Sequence, residues 1–276
     1  MPSKPLVSVL VNNYNKEKYC IQAVNSVLKQ NYKNIEIIFY DDCSSDNSFK
    51  KINKYKKKHN IKNLKIVKKF RHGNVPSFNQ IEGIKTALKK SKGTIICFLD
   101  SDDFFRKDKI KKIVNYFSTN KKKNILFDKP FFYYNNKRKI KSKSSYFSRN
   151  SKWPKFPPTS CMSFRRQNLL QIIQLVFIKK YKHLWLDFRL ATFFSIKLKQ
   201  FNLTEEHLTF YRQSESSHDK NYKKYLNIMW WSRRKQAFDF LFYIQKNLRK
   251  KVIYSIDYII TKYICKLNFI FKQFLY

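Results

Sequence analysis

The chain of 276 residues is long enough to bury a sizeable core, in one large domain or one domain with an appendage. Its hydrophobic share of 43% and aromatic share of 17% exclude a disordered polymer. With 59 Lys and Arg against 18 Asp and Glu, the formal net charge is +41, a field that attracts nucleic acid, anionic lipid or phosphorylated small molecules. The same excess of Lys, Asn, Ile, Phe and Tyr, beside only 3 Gly, is the profile of an AT-rich genome, so charge here speaks to partners and not to fold. The five cysteines are scattered and never spaced as C-x-x-C, which argues against a disulfide framework or structural zinc and for a reducing compartment. No secretory leader is legible after Met1, and no apolar run reaches the roughly 18 residues of a membrane span. The expected location is the cytoplasm.

In chain order, Leu6 to Val11 is an apolar, branched run that predicts a buried strand. Asn15 is placed to cap a helix carrying Cys20, Val24, Val27 and Leu28 at helical spacing. Ile35 to Tyr40 predicts a second strand, and Phe49, Ile52 and Tyr55 mark one face of a second helix. A shorter strand follows at Leu64 to Val67, then a helical stripe of Phe78, Ile81, Ile84 and Leu88. Thr94 to Leu99 predicts a fourth strand before a helix with Ile110, Ile113, Val114 and Phe117. This alternation calls for a mostly parallel sheet with helices on both faces. The middle is less regular: a strand over Ile125 to Tyr134, a Lys/Ser/Asn-rich loop reaching Ser151, and a short strand at Cys161 to Phe164 after Pro157 and Pro158. Helices are expected over Asn168 to Lys180 and Leu186 to Lys199, a strand over Leu208 to Arg212, and a polar loop over Gln213 to Asn221. From Tyr222 the pattern is helical to the end.

Polar residues gather at one kind of place. Asn12–Asn15 follows the first strand, Asp41–Asp46 the second, and Asp100–Asp103 the fourth. Parallel strands would bring all three clusters to the carboxyl edge, where open α/β sheets bind ligands. Asn, Asp and Ser also serve as turn and cap residues, which explains one such cluster better than three. In a chain of 18 acids, Asp100, Asp102 and Asp103 fall within four positions. Carboxylates packed so closely repel unless a cation neutralises them, and Mg²⁺ or Mn²⁺ completed by phosphate oxygens suits such a set.

The segment VSVLVNNYNKEKYCIQAVNSVLKQNYKNIEIIFYDDCSSDNS, with GTIICFLDSDD downstream, resembles the family 2 glycosyltransferases of the GT-A fold. The match covers the first strand with its Tyr-Asn, the Ser26-Val27-Leu28-x-Gln30 helix end, the Asp-Asp-x-Ser-x-Asp loop and the D-x-D element. It runs from Pro5 to about Asp108, and more weakly to about Ser217. The resemblance implies an α/β GT-A (Rossmann-like) fold: a mixed, mostly parallel sheet flanked by helices, with a C-terminal helical extension. It divides the chain into a catalytic domain over 1–220 (nucleotide-sugar half 1–118, acceptor half 119–220) and a basic amphipathic tail over 221–276.

Carried over residue by residue, it implies that Tyr14 stacks on the nucleobase beside Asn12 and that Asp42 hydrogen-bonds the base. Asp100 would meet the ribose or sugar, and Asp102, with Asp103, would hold the metal on the diphosphate. Arg71 lies where some members place a phosphate contact; it can equally be one more exposed cation. Asp187 matches the acidic residue that takes the acceptor proton, with Leu186 where Glu is common. As a plain helix residue, Asp187 would instead favour the macrodipole or partner Arg189. Members usually carry a His two positions beyond Arg212; here that position is Ser214, and His218 is either a displaced metal or diphosphate contact or a solvated side chain. The donor implied is a nucleoside-diphosphate sugar, with UDP favoured. The acceptor is a hydroxyl of a saccharide or lipid-linked saccharide in surface polysaccharide synthesis, reached by a single inverting displacement.

In the tail, Val252, Ile256, Ile259, Ile260, Tyr263, Leu267, Ile270, Phe271 and Phe274 form an apolar stripe interleaved with lysines. Such a helix can lie on an anionic membrane at its inner face, or pack on the domain or a partner chain. Two other readings compete. A nucleic-acid binder accounts for the charge but leaves the aspartates unexplained, and a degenerate sugar-nucleotide binder fits the missing Glu and the Ser at 214.

Overall fold

The computed structural model describes residues 4–68, 73–134, 138–142, 156–198, 202–213 and 228–274. Its centre is a nine-stranded mixed sheet. The first half runs β1 (Val7–Asn13), α1 (Cys20–Leu28), β2 (Ile35–Asp41), α2 (Ser48–Lys58), β3 (Leu64–Lys68), α3 (Pro76–Lys90) and β4 (Ile95–Asp100). After it come β5 (Phe104–Phe105), α4 (Lys109–Thr119), β6 (Ile125–Tyr134), β7 (Lys139–Lys141) and a 3₁₀ turn at Thr159–Cys161. Then follow β8 (Met162–Arg165), α5 (Arg166–Val176), a 3₁₀ turn at Lys179–Tyr181, α6 (Leu186–Leu198), β9 (Leu203–Gln213), α7 (Ile228–Asn247) and α8 (Ile256–Phe274).

The strand order is β3-β2-β1-β4-β8-β6-β9-β5, with β7 paired to β6. β3, β2, β1 and β4 are mutually parallel, whereas β8 runs against both β4 and β6. The parallel strands read as continuous apolar runs because both of their faces are covered. Val7, Val9 and Val11 of β1 meet α1, α2 and α4 on one side. Leu10, with Ile38 and Phe98, belongs to the opposite core, built on α3, α5, α6 and α7. α7 joins that core through Ala237, Phe240 and Ile244.

Several elements differ from the sequence expectation. Asn15 does not cap α1, which begins at Cys20 without a side-chain cap; Asn15 takes a left-handed φ of 51° and turns its amide to Ser45. β9 starts at Leu203, five residues early, because β6 pairs with the polar stretch that hydropathy left out. β5 and β7 are too short to show periodicity. The tail read as helical to the end is, among the described residues, two helices, α7 and α8, separated by a break at 248–255 where Arg249 has φ 52° and packed against each other as a pair.

The amino edge of the sheet is tied by one carboxylate. Buried Glu36 accepts from Ser8 Oγ at 2.6 Å, Lys65 Nζ at 3.0 Å, the Gly93 N–H at 3.1 Å and the Lys92 N–H. Gly93 is required there, since a Cβ would lie 2.5 Å from the Ser8 backbone nitrogen. Burial alone would raise Glu36, but these donors outweigh it and hold the carboxyl below its ordinary 4.5. A folded pKa below the unfolded one contributes stability above 4.5 that is lost as pH falls through the lowered value. Glu36→Gln is therefore expected to cost about 1–3 kcal/mol in urea unfolding at neutral pH. The gap to the parent chain should close progressively in acid below pH 4.5.

Candidate active site at the carboxyl edge of the sheet

β1, β2 and β4 end in step. Asn12 stands opposite Asp100, and Asn13 opposite Asp41. The pairing continues past the strands: the Asp42 N–H donates to Asn13 O at 2.9 Å and the Ser101 N–H to Asn12 O at 3.0 Å. All three polar clusters thus share one edge. The first two are laced together, because Asn13 Nδ2 donates to Asp41 Oδ1 at 2.7 Å and to Ser44 and Ser48. Asp41, fully buried, also accepts from the Ser44 N–H and hydroxyl, and Asp46 from the Glu17 and Ser48 N–H groups. Of this loop's acids, Asp41 and Asp46 are consumed in shaping it, while Asp42 lies buried at the strand end.

α3 is pressed close to the same edge. A Cβ on Gly83 would fall 2.6 Å from Asn12 Oδ1 and 2.7 Å from the Tyr40 ring. This approach lets Gln80, one turn earlier, donate to Asp100 Oδ1 at 3.2 Å. Asn12 Oδ1, Tyr40 Oη, Gln80 Oε1 and Ser101 Oγ are buried here without a hydrogen-bond partner. Buried polar atoms of this kind ordinarily find one, so their convergence on one edge suits a polar ligand.

The three acids at and just beyond the end of β4 are not equivalent. Both oxygens of Asp103 turn inward, one accepting from Ser160 Oγ at 2.6 Å and the other from the Arg212 N–H at 2.8 Å. Asp102 is partly exposed and pairs with Lys16 at 2.6 Å. Removal from water, then the adjacent Asp102, push Asp100 up to about 7; Gln80 opposes them and Asp187 adds to them. No group of three or more His, Cys, Asp or Glu side chains among the described residues forms a ready metal cage. Two crowded carboxylates, Asp100 and Asp102, nevertheless fit a hard divalent ion that draws its other oxygens from a diphosphate and water. Arg71 and His218 lie outside the described residues.

Asp187 sits in the first turn of α6, its Oδ1 accepting from the Phe188 N–H at 2.7 Å. Its charge reaches both Asp100 and Tyr211. The segment that presents it is organised by Arg189, which does not pair with Asp187. The fully buried guanidinium donates to the carbonyls of Leu184 (3.1 Å), Val176 (3.0 Å), Ile178 (2.9 Å) and Tyr181. Burial lowers it to about 10, still far above neutrality, so the charge persists.

Sequence reasoning missed the layer beneath the acids. Lys109 is fully buried and donates to Asp128 at 2.6 Å, Thr209 Oγ1 at 2.6 Å and Ser160 O at 2.8 Å. Ser160 in turn donates to Asp103 and accepts from the Asp100 N–H at 2.9 Å. Arg212 clamps the same loop from β9 by donating to Asp102 O at 2.8 Å, with its guanidinium 4.1 Å from the Tyr19 ring centre. The only signal was Lys109 itself, on the apolar face between Phe105 and Ile113; a lysine there had no visible partner until β6 and β9 were placed.

The glycosyl transferase family 2 model matches residues 8–178. An uncharacterised glycosyltransferase of Nostoc is 28% identical over 75% of this chain and 64% of its own. The glucosyltransferase WfaP of Escherichia coli, named for transfer from UDP-Glc to α-D-GlcNAc-diphosphoundecaprenol, is 37% identical over 48% of this chain and 45% of its own. The chain therefore spans less than two thirds of the length of either relative. Among solved structures, Staphylococcus aureus TarS residues 1–349 with UDP-GlcNAc superposes with a TM-score of 0.61 at 20% identity, covering 85% of this chain and 66% of that one. A mannosyltransferase of Pyrobaculum calidifontis with GDP-Man and Mn²⁺ gives 0.55 at 14% identity, covering 92% and 67%. These likenesses establish the GT-A-type fold.

Lys109→Met, which strands Asp128 in the core, is expected to cost about 3–5 kcal/mol in denaturant unfolding. Lys109→Met with Asp128→Leu should recover most of that loss, because no uncompensated charge remains.

Proposed function

Because the chain belongs to glycosyl transferase family 2, we propose that it transfers a sugar from a nucleoside-diphosphate donor, UDP-linked by preference, to a hydroxyl of a saccharide or lipid-linked saccharide acceptor. This reading is supported by WfaP, named for transfer from UDP-Glc to a lipid-linked diphosphate acceptor, and by TarS, whose structure holds UDP-GlcNAc. The observation that carries the reading is the shared edge on which Asn12 and Asn13, Asp41, and Asp100 end β1, β2 and β4 respectively, with the Asp187 carboxylate of α6 adding to the charge that raises Asp100.

In this reading Asn12, Tyr14 and Asp42 hold the base, and Asp100 holds the ribose or sugar. Arg71 and His218, outside the described residues, are further candidates for the diphosphate. Asp102 with Asp100 would hold Mg²⁺ or Mn²⁺, which when bound neutralises the diphosphate as it departs. Asp103 holds the loop rather than the ion. The acceptor oxygen attacks the anomeric carbon from the face opposite the diphosphate, so the new C–O bond inverts the configuration as the old one breaks. Asp187 takes the acceptor proton, which a carboxylate can do within hydrogen-bond reach. The proposed setting is the cytoplasm, at the inner face of the membrane, in surface polysaccharide synthesis.

Calorimetry is expected to show UDP binding that depends on Mn²⁺ and is weakened by Asp102→Asn. Asp187→Asn should keep that binding yet lower sugar transfer or donor hydrolysis by about 10²–10⁴-fold. Binding of UDP indifferent to a chelator, or full turnover by Asp187→Asn, would overturn the reading.

A further inference from the structure

Seven of the ten large hydrophobic side chains exposed among the described residues lie between Ile253 and Leu267. Ile256, Ile260, Tyr263 and Leu267 follow one another at spacings of four, three and four, and Ile259 lies three after Ile256 and four before Tyr263, which places all five on a single face of α8. They are 77%, 45%, 48%, 61% and 53% exposed. α8 does not lack a packing partner. Its opposite face is seated on α7, where Tyr258 packs edge-on to Phe242 at 4.9 Å and Thr261, fully buried, accepts from Arg234 Nε at 3.2 Å. The helix is thus held by one face and presents an apolar stripe with the other.

Charge narrows the choice of occupant. Lys262 and Lys266 flank the stripe, and Lys250 and Lys251 precede it, all exposed. The acid of this stretch, Asp257, is already paired with Arg234. No helix among the described residues is long and apolar enough to cross a membrane. A helix with one apolar face and flanking lysines, too polar to span, has the character of one that lies in the headgroup layer of an anionic bilayer. We infer that α8 docks this chain on an anionic lipid surface, its isoleucines entering the acyl boundary while Lys250, Lys251, Lys262 and Lys266 engage the headgroup phosphates. The inference uses only the geometry of the α7–α8 pair and goes beyond the donor chemistry proposed above.

The test is co-sedimentation of the full chain with vesicles of phosphatidylcholine alone and with added phosphatidylglycerol, without any nucleotide. Expected are binding to the anionic vesicles only, weakening with salt, and loss of binding in Ile256→Ser with Ile260→Ser. Lys262→Gln with Lys266→Gln should weaken binding by roughly thirty-fold, from about 1 kcal/mol for each lysine near the surface. All four positions are exposed, so circular dichroism should be unchanged. Equal partition to neutral and anionic vesicles, or none to either, would overturn the inference. So would a serine variant that changes only the mass in solution, which would assign the stripe to a second copy of the chain. Mn²⁺-dependent UDP binding measured in parallel keeps this outcome separate from that of the transferase reading.

Discussion

Carboxylates crowded at the ends of parallel strands repel, and the structure at this edge depends on how that repulsion is offset. Asp100 closes β4, and Asp102 and Asp103 come directly after it. The offset is divided: Asp103 is taken inward by Ser160 and the Arg212 N–H, Asp102 meets Lys16, and Asp100 is left with Gln80 and a carboxyl raised to about 7. The residual repulsion falls on Asp100 and Asp102. A doubly charged cation placed there would relieve it, and a diphosphate would then find its own countercharge.

The support for this arrangement is itself electrostatic. Ser160 can face Asp103 because its carbonyl is anchored by Lys109, whose ammonium is stabilised by Asp128 and Thr209. Four elements distant in sequence therefore converge beneath one loop: α4, β6, the turn before β8, and β9. On the acceptor side Arg189 does comparable work, gathering the carbonyls that end α5 and precede α6, so that Asp187 emerges at a fixed point. Neither cation touches the proposed substrate. Both fix where the acids stand.

Much of this was legible from local pattern. β1, β2 and β4 were visible as apolar runs because parallel strands are buried on both faces, and the acids followed directly from the strand ends. Non-local pairing was not legible. The first half of β9 is polar, and β5 and β7 have too few residues for periodicity to speak. Asn15 looked like a helix cap by residue type, yet Ser45, thirty positions away, claimed its amide. Asp103 looked equivalent to Asp102 until the partners of its two oxygens were in view. Arg189 offered itself only as an alternative partner for Asp187, since a sequence gives no sign that a guanidinium will be spent on carbonyls.

The glycines mark where the fold leaves no room for a side chain. The chain is rich in lysine, asparagine and isoleucine and holds only 3 Gly in 276 positions. Two of these survive where a methyl group has no room: Gly83 between α3 and the ends of β1 and β2, and Gly93 against the β1 backbone. A substitution on the exposed surface meets solvent, whereas one at either of these glycines meets neighbouring atoms inside van der Waals distance. Recoding the lysines toward neutrality should accordingly be far more permissive than altering either of those two bare α-carbons.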